Sequence, residues 1–378
     1  MTDDFDAYVV TSPGFLSLIK SPFLNPYAFD TQGNLSRFLD DADDYLEEVL
    51  GKDVSLANPS SILEIGEAKN KNAFTNSMIN LSISPTYTFN KHFSLTEHFS
   101  YSSVNTYENY FLPETGVPSF SLGATGTLYN LAQSLSSHLN QFFSDTRAEW
   151  NKRYGAHMID LTGGVRYINN TYVRTHQKGF NTGNDKMPNM SFSLFDKTTS
   201  GADDGYKSLT YYLSTDYNFR ETYYLTAGLS METASSFGRE LTTALQMGGV
   251  SWGFFPSVQA AWVMTAEPWF NTNSLLNYLK LHVGYDLSGN DDLDYTASRS
   301  YFTANKMLNS VDGLIIGNIG NTTLQWETTR RYTAGLSANL LGNRLNLQAN
   351  LFKGYTENLL TLKRLAYISG LRENWSND

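Results

Sequence analysis

Two adjoining stretches decide the fold: Leu209-Thr-Tyr-Tyr-Leu-Ser-Thr-Asp-Tyr-Asn-Phe219 and Tyr223-Tyr-Leu-Thr-Ala-Gly-Leu-Ser-Met-Glu232. In the first, Leu209, Tyr211, Leu213, Thr215, Tyr217 and Phe219 alternate with Thr210, Tyr212, Ser214, Asp216 and Asn218. In the second, Tyr223, Leu225, Ala227, Leu229 and Met231 alternate with Tyr224, Thr226, Gly228, Ser230 and Glu232. Side chains of a strand point to opposite faces in turn, so a period of two gives one apolar face and one polar face. Only Arg220, Glu221 and Thr222 separate the two stretches, which reads as a tight hairpin.

The same alternation recurs outward in both directions. It runs through Ile79, Leu81 and Ile83, and through Ile159, Leu161, Gly163, Val165 and Tyr167. It returns at Leu279, Leu281, Val283, Tyr285 and Leu287, then at Tyr332, Ala334, Leu336, Ala338 and Leu340, and at Leu345, Leu347, Ala349 and Leu351. Ten strands are predicted, over 74–89, 93–109, 134–151, 157–172, 206–219, 222–236, 252–265, 277–288, 324–341 and 344–358. The connections alternate short and long. The short ones are 90–92, 152–156, 220–221, 266–276 and 342–343; the long ones are 110–133, 173–205, 237–251 and 289–323. Up-and-down neighbours put all short turns on one rim and all long loops on the other, as in outer-membrane barrels. The expected strands also exceed the roughly 5–6 residues usual in soluble sheets. A soluble propeller would need shorter strands and a repeat of about 40–50 residues.

Composition agrees. The 378 residues are 14% aromatic and only 17% charged, against about 25% charged in ordinary soluble domains. The net charge of −10 argues against nucleic acid as the partner. With no cysteine there is no disulfide frame and no thiolate chemistry. No apolar run reaches the 18 residues of a spanning helix, and the acidic start at Met1-Thr-Asp-Asp-Phe-Asp6 has no signal-peptide pattern. Residues 1–73 are expected to form an extracellular loop region. That region holds the acidic residues Asp40, Asp41, Asp43 and Asp44, the pairs Ser21-Pro22, Asn25-Pro26 and Asn58-Pro59, and a short helix near 43–50.

No catalytic constellation emerges. His92 and His98 lie six residues apart without further ligands, the glycines at 313, 317 and 320 do not form a phosphate loop, and there is no G-x-S-x-G. The Asp40–Asp44 run and Asn290-Asp291-Asp292 lack EF-hand spacing and read as solvated loops. No enzyme activity, metal or cofactor is expected.

Four stretches, in order, resemble the SusC/RagA family of TonB-linked outer-membrane transporters. They are Leu225-Thr-Ala-Gly-Leu229 with Ser235-Ser-Phe-Gly238; Trp252-Gly-Phe-Phe-Pro-Ser-Val258 with Ala260-Ala-Trp262; Leu279-Lys-Leu281 with Tyr285 and Ser288-Gly-Asn290; and Ile319-Gly-Asn321 with Leu324-Gln-Trp-Glu-Thr-Thr329 and Gly335-Leu336. Asp286 departs from the pattern where the family usually has glycine, and 239–250 resembles an insertion. The resemblance implies an all-β, antiparallel, up-and-down transmembrane barrel wall over 74–378. With ten strands it is expected to be an open, curved sheet rather than a closed barrel. It implies an outer-membrane importer for oligosaccharides or peptides, driven by the TonB complex, with a SusD-like surface lipoprotein over the mouth. Family members also carry a signal peptide, a plug domain and further strands, so this stretch is not expected to transport unaided. A passive porin or siderophore-type receptor, and a soluble β-rich adhesin or enzyme, remain the alternatives. Substrate contacts are expected from aromatics in or beside the long loops: Tyr107, Tyr110, Phe111, Tyr295, Tyr301 and Phe302.

Overall fold

The computed structural model describes residues 9–10, 13–19, 27–36, 39, 55–56, 58, 73–117, 119–121, 126–191, 194–241, 244–270, 275–307 and 311–378. Ten long strands form its main sheet. They are β1 (Ala73–Ile83, continued by Thr86–Asn90), β2 (Phe93–Leu112), β3 (Leu131–Tyr154), β4 (His157–Phe180) and β5 (Phe195–Phe219). Then follow β6 (Tyr223–Ala234), β7 (Val250–Val263), β8 (Leu276–Asn290), β9 (Glu327–Leu340) and β10 (Leu345–Glu357). Each strand lies beside its sequence neighbours, and β1 and β10 are the two ends of the order. The sheet is therefore open. Pro85 lies in the break of β1, since proline has no N–H to give the ladder.

The chain packs as two compact units. One is Met1–Met78, Ser103–Leu139 and Tyr172–Asp203; the other is Ile79–Ser102, Asn140–Thr171 and Asp204–Asp378. In the first, Leu112, Val117, Leu128, Leu131 and Phe180 form a small core. The Asp185 carboxylate accepts from the Glu114 and Thr115 amides and the Thr115 hydroxyl at 2.7, 3.1 and 2.7 Å. Within residues 1–73 the described parts include a helix at Pro13–Ile19 and a parallel pairing of Val9–Val10 with Ser55–Leu56. The acidic residues Asp40 to Asp44, the helix expected near 43–50, and the Ser21-Pro22 and Asn25-Pro26 pairs lie outside the described residues, as does Pro59.

In the second unit, register carries the two-faced pattern from strand to strand. Leu213 faces Leu229, which faces Pro256; Ala260 faces Val283, which faces Ala334, which faces Leu351. On the other face Gly228 meets Ser257, Ser257 meets Asp286 and Asp286 meets Arg331. The apolar face is uncovered by protein: Leu213, Val283 and Leu351 are 52%, 58% and 78% exposed. Such a continuous patch, on strands of this length, suits contact with hydrocarbon.

Aromatic rings border this apolar face. At the short-turn rim Tyr223 stacks on Trp262 at 6.4 Å, and Trp262 meets Trp269 at 6.2 Å. The Tyr223 hydroxyl and the Trp262 indole N–H both donate to Glu267 Oε1, at 2.5 and 2.9 Å. Toward the long loops, Phe142 meets Tyr167 at 6.2 Å and Tyr211 meets Trp252 at 5.6 Å. Trp252 and Trp262 are ten residues apart on β7. At a rise near 3.3 Å and a tilt near 40°, that spans roughly 25 Å, the height of an outer-membrane apolar band.

The long connections are shorter than expected. Residues 173–180 and 195–205 are strand, so the 173–205 loop shrinks to 181–194; 110–112 and 131–133 are strand as well. Both faces of the strands are exposed over 173–175 and 197–201, while Phe111, Leu112, Leu131, Ala132 and Phe180 pack in small cores; neither setting imposes the apolar phase that marks a strand in sequence. The 289–323 stretch holds a hairpin of Tyr301–Met307 and Val311–Asn318. The 239–250 segment ends in a hairpin of Leu245–Met247 on Val250, whose turn residues Gly248 and Gly249 take φ of 65° and 76°.

Placing arginine on each face tests the assignment. Leu229→Arg, at mid-height on the apolar face, is expected to cost about 2–4 kcal/mol of stability in lipid vesicles. The adjacent Ser230→Arg is expected to cost far less. Urea unfolding monitored by tryptophan fluorescence reads both.

Candidate functional site

The polar face of the wall carries charges held by partners from neighbouring strands. Tyr212 on β5 donates to Asp145 on β3 at 2.9 Å. Between them Arg166 on β4 pairs with Asp145 at 3.7 Å, with its guanidinium 5.7 Å from the Phe143 ring and 5.6 Å from the Tyr212 ring. Gly164 makes room: a Cβ there would lie 2.6 Å from the Tyr212 hydroxyl and from the Thr146 carbonyl oxygen. Farther along, Arg331 clasps Asp286 with two bonds of 3.0 and 3.1 Å. Asp286, the departure from the family pattern, thus has a dedicated cation one strand away.

His98 meets Ser84 at 2.5 Å, whereas His92 bonds the Asn151 carbonyl. The two histidines are engaged separately. Among the described residues no group of three His, Asp or Glu side chains is placed to hold a metal.

At the long-loop end the polar face is capped by loop residues. Tyr295 stacks on Tyr206 at 5.3 Å, Tyr206 donates to Asp291 at 2.7 Å, and Asn170 donates to the Tyr295 hydroxyl at 3.5 Å. Burial first, and the bond to Asp291 second, holds the Tyr206 hydroxyl well above its ordinary pKa. Beside them Phe237, Leu241 and Trp326 form a buried bolt against Ala234, Phe255 and Leu293. Trp326, 4.1 Å from the Phe237 ring, serves as rim packing.

The six aromatics expected at substrate are dispersed. Tyr107, Tyr110 and Phe111 belong to one compact unit and Tyr295, Tyr301 and Phe302 to the other. Tyr107 is 46% exposed with its ring edge-on to His138 at 5.8 Å. Tyr110 packs on the Leu112 cluster, and Phe111 is 1% exposed, packed with Ala132, Met190 and Leu194. Tyr295 is stacked as above. Tyr301 and Phe302, in the 289–323 hairpin, present 42% and 66% of their surfaces. No sequence pattern brings together the Asp145, Arg166, Tyr212 group or the Asp286, Arg331 pair. Their one local signal is a charge in the polar phase of a strand.

The family model described as TonB dependent receptor-like, beta-barrel, matches residues 20–373. This chain belongs to that family. The family's barrels lie in the bacterial outer membrane, in keeping with the two aromatic rows and the lipid-ready face. TonB-dependent receptor P39 of Formosa agariphila is 28% identical over 193 residues, which cover 51% of this chain and 17% of the relative. TonB-dependent receptor P3 of the same organism is 24% identical over 286 residues, covering 74% and 27%. Among solved structures, the RagAB peptide importer in its open-open state aligns with a TM-score of 0.70 at 19% identity, covering all of this chain and 38% of that one. The RagAB peptide transporter aligns at 0.71 and 18%, covering 94% and 36%. The chain thus spans between about a sixth and two fifths of the length of the proteins it matches.

Gly164→Val is expected to displace Tyr212 and break its bond to Asp145, costing about 1–3 kcal/mol as overpacking does. Thermal unfolding of the wild type and of this variant, alone and combined with Tyr212→Ala, reads it. The clash predicts that Tyr212→Ala relieves part of the loss.

Proposed function

We propose that this chain is part of the wall of an outer-membrane importer. It takes up peptides or oligosaccharides, draws energy from the TonB complex, and works with a SusD-like surface lipoprotein. The observation that carries this reading is the polar face with its paired charges, backed strand by strand by an apolar face between two aromatic rows. A water-filled lumen tolerates Asp145, Arg166, Asp286 and Arg331, whereas a sandwich core would not. The RagAB structures, described as a peptide importer and a peptide transporter, favour peptides as cargo.

In this reading residues 1–73 form the extracellular loop region and 74–378 the wall. Tyr301 and Phe302, both exposed in their hairpin, meet cargo first. Tyr295 shapes the mouth through Tyr206, and Tyr107, Tyr110 and Phe111 belong to a loop base in the other unit.

Uptake of labelled oligopeptides and oligosaccharides by cells carrying the intact receptor tests the reading. Uptake is expected to collapse when TonB is deleted or the proton gradient is discharged. Uptake that persists unchanged without TonB would show a passive pore instead. Phe302→Ala is expected to weaken cargo binding several-fold without lowering the amount of receptor in the membrane.

A further inference from the structure

A second site lies at the long-loop end of β5 and β6, on the other side of the wall's logic from the lumen. A cavity of about 670 Å³ opens there between the strand ends and loop residues 238–240, 298–300 and 322. Three cations border it: Lys207, Arg239 and Arg299. All three are exposed, and none makes an ion pair among the described residues. The one carboxylate at the border, Glu240, accepts a bond from the Thr322 hydroxyl at 3.1 Å. Three cations against one anion leave the cavity positive, in a chain whose net charge is −10.

Height and face decide what this charge serves. Tyr167, Lys207, Leu209, Thr233 and Ser235 all border the cavity. Leu209, Thr233 and Ser235 are in the phase of the apolar face, since Leu209 pairs with Thr233 two positions above the pairing of Tyr211 with Met231. Ser208 and Ala234, of the opposite phase, border it where the strands end. Tyr167 is also a member of the upper aromatic row, and Tyr211 lies four residues below Lys207 on the same face. Lys207 therefore lies just above the row that marks the edge of the hydrocarbon, and Arg239 and Arg299 border the same cavity. A ligand here would have a negative group among Lys207, Arg239 and Arg299 and an apolar body descending past Leu209 toward Leu213. A cargo molecule in the lumen would meet the opposite face.

We propose that Lys207, Arg239 and Arg299 bind the phosphate of a lipid headgroup in the outer leaflet, an annular lipid held by charge above the upper aromatic row. Basic residues at a membrane surface each strengthen attraction to an anionic lipid by about fivefold. Arginine adds bidentate geometry toward phosphate oxygens.

The full receptor, purified in detergent, is titrated with phosphatidic acid and with phosphatidylcholine of the same chain length, and retained lipid is read by native mass spectrometry. Wild type is expected to bind phosphatidic acid at least tenfold more tightly, with the preference falling as salt is raised. The triple variant Lys207→Gln, Arg239→Gln, Arg299→Gln is expected to lose that preference. The charge-conserving variant Lys207→Arg, Arg239→Lys, Arg299→Lys is expected to keep most of it, which separates lost charge from lost fold. Equal binding of the two lipids by wild type would overturn the proposal, as would an unchanged preference in the glutamine variant. Full displacement by inorganic phosphate at equal concentration would overturn it too, in favour of a site for the free anion.

Discussion

Strand register is the constraint on which this wall depends. Side chains alternate with a period of two, so a slip of one residue between any two strands would turn Leu225, Leu229 and Met231 inward and Thr226, Ser230 and Glu232 outward. The cost would be paid across every neighbouring strand at once, because hydrocarbon offers no partner to a displaced polar group or unpaired amide. The pairings run unbroken over twelve residues between β5 and β6 and over ten between β6 and β7. The tight turn at Arg220 and Glu221, both at positive φ, sets the register at one end. The Glu221 amide bonds the Asn218 side chain there at 2.8 Å, which holds a conformation most residues resist.

The aromatic rows follow from the same constraint. Once register is set, Trp252 and Trp262 must fall at opposite edges of the apolar face, and neighbouring strands bring Tyr211 and Tyr223 beside them. Tyrosine and tryptophan suit those edges because each has an apolar body and a polar tip. At the short-turn rim the two tips converge on Glu267, a carboxylate of the connecting segment rather than of a strand. The belt there is therefore hydrogen-bonded as well as stacked.

How much of this was legible in sequence depends on where each residue meets lipid. The ten strands could be read because lipid on one side and water on the other force the alternation. Where β4 and β5 rise beyond the upper row, both faces are wet, and Arg174, Lys197 and Asp203 give no periodic signal. The sequence pattern therefore marks those parts as loop. The polar contacts were illegible for another reason: Asp145, Arg166 and Tyr212 come from three strands, and their meeting depends on inter-strand register that no local pattern states. Phe111 illustrates the limit for aromatics. A phenylalanine at the foot of a long loop serves packing as well as contact with cargo, and only its burial against Ala132, Met190 and Leu194 distinguishes the two.

Charges that break the two-faced rule follow it at a finer level. Asp286 occupies a polar-face position where the resembling family usually has glycine, and Arg331 on the adjacent strand meets it with two bonds. Glu97 is the harder case, because it shares the phase of Leu95 and Phe99 on the apolar face. Both of its oxygens are nevertheless met, by the Ser144 hydroxyl at 2.9 Å and by the Thr146 hydroxyl, side chains two apart on the neighbouring strand. A carboxylate next to hydrocarbon is tolerable only when its lone pairs are satisfied, and two short hydroxyls on one strand face supply this without a counter-ion. Replacing either hydroxyl by alanine would then leave an oxygen bare at the lipid surface. Residues 144 and 146 are thus tied to Glu97 as closely as Arg331 is to Asp286, although one pair of partners is neutral and the other ionic.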